Sequence, residues 1–180
     1  MMTSNVNSQK DIFERFKAKI EELKVSLPPY GRTPGNSCAA HTLTNILDVL
    51  NKKELDAFYF NNLAVPFSGF GSYVNEKGWK GPCGAVSGAI AAIGLIIGGQ
   101  EKTNPQEVPL VFTKVIQFAD KFEKKFGSIS CHELCGLDLT KEYSTYNKEN
   151  IWQKKCVNFI YYAIELVSKL TRKDLKTKWT

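Results

Sequence analysis

Histidine is scarce in this chain, with His41 and His132 the only two in 180 residues. With only two histidines no Ser-His-Asp constellation can be argued, and hydrolase chemistry has no support. Phosphate-binding signatures are missing as well. Neither G-x-x-x-x-G-K-[ST] nor G-x-G-x-x-G occurs, so no nucleotide-cradling loop is expected. No alternating run of β-branched residues is long enough to make a strand, which excludes a sheet-based fold and leaves an all-α one. Charge disappears from Gly81 to Gly99 in a chain that is 23% charged. That run only just reaches the ~20 residues that a membrane span needs, and its first half is Gly, Ala and Ser, so a span is not expected. Met1 is not followed by an apolar h-region, and no twin-arginine pattern is present. A cytoplasmic location is therefore the expectation. The net charge is +6, but the lysines do not alternate with aromatics, and no nucleic-acid partner is expected. Internal repeats and low-complexity segments are absent.

What is present begins with Trp79-Lys-Gly-Pro-Cys-Gly-Ala-Val-Ser-Gly-Ala-Ile-Ala-Ala-Ile-Gly-Leu-Ile-Ile-Gly-Gly99. Pro82 suits the first turn of a helix. It puts Cys83 beside unpaired N–H groups, where a helix dipole favours a thiolate. Gly84, Gly88 and Ala92 repeat every four residues and leave a stripe with almost no side chain. A helix that tolerates this much glycine is letting another backbone or a cofactor come close. A buried helix over 82–98 is expected at the centre of the fold, closed by Gly98-Gly99. The same stripe would also suit a homodimer contact.

The other apolar patterns also have helical spacing. Helices are expected near 9–25, 37–51, 54–63, 105–126 and 148–172, giving a single-domain bundle. Residues 1–35 read as an amphipathic helix and linker, 36–172 as the helical domain, and 173–180 as a frayed basic tail. Pro66 to Gly81 reads as a Gly- and aromatic-rich loop that delivers the chain to Cys83. In the helix expected at 105–126, Val108, Val111, Phe112, Val115, Ile116, Ala119 and Phe122 form the apolar face.

Five cysteines, an odd number, argue against a fully paired disulfide framework and point toward metal or redox chemistry. Cys38, Cys83 and Cys131 each fall at an expected helix start. Cys135 lies one turn beyond Cys131, and Cys156 lies on the buried face of the last helix. A bundle can gather several helix ends, so four thiolates could meet around Zn or an iron–sulfur cluster. His41, one turn from Cys38, is a weaker ligand candidate, and His132 lies between Cys131 and Cys135. Covalent haem c is excluded, because C-x-x-C-H would need cysteine where Ser128 stands. Without a metal, Cys83 would be the attacking thiol, with Cys131 or Cys135 resolving a mixed disulfide. A third reading is a non-catalytic binding module whose cysteines only fill the core.

The segments Asn36-Ser-Cys-Ala-Ala40, Gly81-Pro-Cys-Gly-Ala-Val-Ser-Gly-Ala89, Phe126-Gly-Ser-Ile-Ser-Cys-His-Glu-Leu-Cys-Gly-Leu-Asp-Leu139 and Lys155-Cys-Val157 resemble, in order and interval, the redox-active protein family named for its cysteine pattern, C_GCAxxG_C_C. The resemblance covers about residues 36–170. It implies a small helical domain and carries the four pattern cysteines onto Cys38, Cys83, Cys131 and Cys156 as cofactor or metal ligands. A similar domain occurs in split-Soret cytochromes, which implies an iron–sulfur cluster here and an unidentified redox partner. Two features depart from the pattern. The Gly-rich segment before the second cysteine is replaced by residues 67–79, and Cys135 stands where an aliphatic residue is expected.

Overall fold

The computed structural model describes residues 11–26, 37–52 and 61–179. Among them there is no strand or sheet, only isolated bridges at Val74–Lys80 and Pro82–Ser130, and the fold is an all-α bundle. Its helices are α1 (Ile12–Ser26), α2 (Cys38–Val49), α3 (Asn61–Gly71), α4 (Gly84–Gly98), α5 (Val108–Phe126), α6 (Cys131–Cys135), α7 (Tyr143–Lys148), α8 (Val157–Leu170) and α9 (Arg172–Lys178). A π-helical turn, Trp152–Cys156, runs directly into α8.

Helix α4 is the centre, in contact with α2, α3, α5, α8 and α9. Ala85, Val86, Ala89, Ala92, Ile93, Ile96 and Ile97 are fully buried on it. The glycine stripe has the expected use. A Cβ on Gly88 would lie 3.0 Å from Ala39 Cα and closer still to the Ala39 carbonyl oxygen. A Cβ on Gly84 would meet Ala39 N at 3.0 Å and Cys38 Cβ at 3.2 Å. The missing side chains therefore let the first turns of α2 and α4 touch backbone to backbone, and the stripe is filled from within the chain. Each fully buried isoleucine contributes roughly 1.5–3 kcal/mol through burial, enough to outweigh the low helix propensity of the glycines.

Four expectations need correction. Residues 61–71 are helical although Pro66 and two glycines argued for a loop. Docking on α2 and α4 overrides local propensity there: Ser68 Oγ meets Ser37 Oγ at 2.8 Å and accepts from Ala39 N. Most of the helix expected at 54–63 lies outside the described residues. On α5 the buried stripe runs through Val111, Val115, Phe118 and Phe122, while Phe112 and Ile116 are 63% and 68% exposed. One side of a helix can face the core, and the expected stripe was too wide.

The last correction concerns the two ends of the C-terminal region. Asn150, at φ 53°, separates α7 from the final long helix, which starts at residue 151 rather than 148. The segment read as a frayed tail is α9. Leu175 is fully buried on it. Lys178 pairs with Glu107 at 2.6 Å and donates to the Ile97 carbonyl, and Trp179 Nε1 donates to the Ile96 carbonyl. Carbonyls left open at the end of α4 are thereby satisfied. No helix among the described residues is long and apolar enough to cross a membrane.

Candidate cysteine site

The site is assembled from helix ends. Cys38 opens α2, whose N-cap Ser37 accepts from Ala40 N at 3.1 Å. Cys83 is the N-cap of α4, and Cys131 opens α6 after Ser130. The Pro82–Ser130 bridge sets the last two side by side: Cys83 N donates to Ile129 O at 2.7 Å, and Cys131 N donates to Gly81 O at 3.1 Å. Gly81 is required at this crossing, since a Cβ there would run into the Phe70 carbonyl. Helix α6 is a single turn closed by Gly136 at φ 76°, so Cys131 and Cys135 share a face with their sulfurs 4.0 Å apart.

Cys156 arrives through the π turn. The Val157 N–H reaches the Trp152 carbonyl five residues back, which widens the helix at that point. Cys156 is buried, and its sulfur is 3.2 Å from the Tyr146 hydroxyl of α7. All five cysteines carry free thiols. The thiols form a chain of hydrogen-bond contacts in which Cys131 meets Cys135, Cys135 meets Cys156 and Cys156 meets Cys38. Cys83 is coupled to Cys38, Cys131 and Cys156 through charge, without a thiol–thiol hydrogen bond. A pocket of about 430 Å³ opens on this set. Cys38, Cys131, Cys135 and Cys156 line it, with Tyr146 and Trp152 beside them.

The protonation pattern follows from these contacts. Hydrogen bonds from Cys135, Cys38 and Tyr146, together with the Lys155 charge, hold the Cys156 thiol well below its ordinary pKa despite burial. Its partners are pushed the other way. Cys38 rises chiefly through its bond to Cys156, Cys135 through its bonds to Cys131 and Cys156, and Tyr146 through burial. Among these contacting thiols, Cys156 is the one whose ionised form its neighbours favour. Cys83 departs from the expectation of a helix-start thiolate. Burial raises its pKa, the N–H groups of Ala85 and Val86 oppose this only in part, and the sulfur makes no capping hydrogen bond. Desolvation outweighs the helix end there. Lys155 Nζ also donates to the Cys135 carbonyl at 2.9 Å, placing a cation at the C-terminus of α6.

The two histidines stand apart from the pocket wall. His41 packs on Trp152 with ring centroids 5.6 Å apart, and its buried Nε2 has no hydrogen-bond partner. His132 sits on the outer part of α6, half-buried. Tyr146 and Lys155 are site residues that sequence reading passed over. Nothing in the spacing of Tyr146 to Cys156 signals their contact.

Among the described residues, no group of three or more His, Cys, Asp or Glu side chains is set as a site for a metal ion. The donor chemistry is nonetheless uniform and soft, since thiols are the only such groups on the pocket wall. Thiolates of this kind suit Zn, Cu(I) and iron–sulfur clusters. Ligands at about 2.3 Å from one tetrahedral ion lie about 4 Å from each other, and the Cys131 and Cys135 sulfurs are 4.0 Å apart.

Comparison with curated proteins gives no match, and comparison with solved structures gives none either. The model of a family described as "putative redox-active protein (C_GCAxxG_C_C)" matches residues 37–170, from the N-cap of α2 to the end of α8. That match takes in every cysteine and most of the chain, and this protein therefore belongs to the C_GCAxxG_C_C family.

Proposed function

We propose that the protein carries an iron–sulfur centre on its cysteine cluster and uses it for electron transfer or redox sensing. The observation that supports this best is the set of four buried or half-buried thiols, Cys38, Cys131, Cys135 and Cys156, around one pocket. When bound, such a centre supplies one-electron chemistry over a range of potentials set by its surroundings. The chain's own residues would hold and tune it. Burial of Cys83, Cys135 and Cys156 keeps water from the sulfurs. The Tyr146 hydroxyl hydrogen-bonds Cys156, and Lys155 offsets negative charge. Outer groups of this kind orient ligands and shift potential. A redox partner that gives or takes the electron is part of this reading.

The test is anaerobic reconstitution with ferrous iron and sulfide. Stoichiometric uptake with cysteine-dependent visible absorption is expected; no uptake overturns the reading.

A second reading is supported by the 4.0 Å approach of Cys131 and Cys135. As a metal-free dithiol, the pair would pass two electrons and two protons to a substrate disulfide and become a disulfide itself. Under this reading Cys135→Ser accumulates mixed disulfides with small thiols.

A further inference from the structure

We infer that Cys135, the thiol outside the family's cysteine pattern, is a donor to the centre in this chain, and that Cys83 is not. The inference rests on the metal reading above and concerns which four sulfurs serve it. Four thiols line the pocket, and they are Cys38, Cys131, Cys135 and Cys156. The same four form the unbroken chain of contacts, with Cys135 in its middle, joined to Cys131 on one side and Cys156 on the other.

Cys83 differs on each count. It does not line the pocket. It makes no hydrogen bond to another thiol and meets them only through charge. Its residue is 3% exposed and is fixed as the α4 N-cap at the Pro82–Ser130 crossing. Room beside it is short: a Cβ on Gly84, the next residue, would meet Ala39 N at 3.0 Å and Cys38 Cβ at 3.2 Å.

The main-chain surroundings of Cys135 fit a donor. Its carbonyl is held by Lys155 from the residue preceding Cys156, so the two central donors are tied together outside the metal as well. Gly136, in the left-handed region at φ 76°, ends the single turn that carries Cys131 and Cys135. Each donor sulfur binds iron as the thiolate, any proton it still holds passing to solvent, and Cys83 forms no such bond.

The test uses the full chain with ferrous iron and sulfide as the probe, comparing wild type with Cys135→Ser, Cys135→Asp and Cys83→Ala, each first checked for the wild-type helical signal. The expected result is loss of the centre in Cys135→Ser, a shifted absorption and electron paramagnetic resonance spectrum in Cys135→Asp, and a wild-type spectrum and iron content in Cys83→Ala. An oxygen donor alters the spectrum only when it is bound to iron, so the aspartate variant reports ligation and not folding. In wild type, loading should also slow alkylation of Cys135, read by peptide mass, relative to the metal-free protein. If both Cys135 variants keep the wild-type spectrum while Cys83→Ala loses it, the inference is overturned and the metal reading stands. If wild type itself takes up no iron, both fall.

Discussion

Replacing Gly88 by alanine tests the contact on which the site's geometry depends. In an isolated helix the change would help, since alanine is favoured over glycine by about 1 kcal/mol. Here the new Cβ would lie 3.0 Å from Ala39 Cα, and nearer to its carbonyl oxygen. Both are backbone atoms of α2 and cannot rotate aside. Overpacking of this kind costs roughly 1–3 kcal/mol, and a main-chain clash belongs at the upper end of that range. The balance is a loss of about 1–2 kcal/mol, a fall in Tm of about 2–8 °C for a chain of this length. Gly94 is the internal control. It lies in the same helix, and a Cβ there meets nothing within 4 Å. Gly94→Ala should therefore raise Tm by about 2–4 °C through propensity alone. Thermal and urea unfolding followed by circular dichroism would measure both. If Gly88→Ala is as stable as wild type, or if the two substitutions shift Tm in the same direction, the close α2–α4 contact is wrong.

Other outcomes follow from single contacts. Tyr146→Phe removes a donor that lowers the Cys156 pKa, so alkylation of Cys156 in metal-free protein should slow at neutral pH; an unchanged rate would refute that hydrogen bond. Leu175→Ala, in the segment that sequence alone reads as a tail, should cost about 2–5 kcal/mol as a buried truncation, measured by urea unfolding; a loss below ~0.5 kcal/mol, typical of surface sites, would mean that α9 is not docked. Burial lowers the His41 pKa. The unfolded chain then takes up the proton first, so this contribution to stability is present above the ordinary histidine pKa near ~6.5 and is lost as pH falls below it. Replacing His41 with Gln should flatten the stability profile across that window, and an unaltered slope would contradict the assignment.

The central helix, its glycine stripe and the placing of Cys38, Cys83 and Cys131 at helix starts were legible in the sequence. Each depends on short-range rules: apolar spacing, Pro82 before the helix, and small residues four apart. The parts that were not legible depend on contacts between distant segments. Pro66 and Gly69 argue locally against α3, and only docking of Ser68 on the α2 N-terminus makes that helix worth forming. The π turn that aims Cys156 differs from an α-helix by one residue per turn, which apolar periodicity cannot resolve over five residues. Helix-start placement also misleads for Cys83, because it speaks to the dipole and is silent on burial, and burial decides that thiol's protonation.

The most direct measurement is metal and thiol counting on protein isolated anaerobically. The account predicts stoichiometric iron with acid-labile sulfide, and one freely titrating thiol among the five cysteines after unfolding under conditions that preserve metal–thiolate bonds, rising to five once the metal is removed by chelation. Five free thiols at the outset, with neither iron nor zinc present, would contradict it.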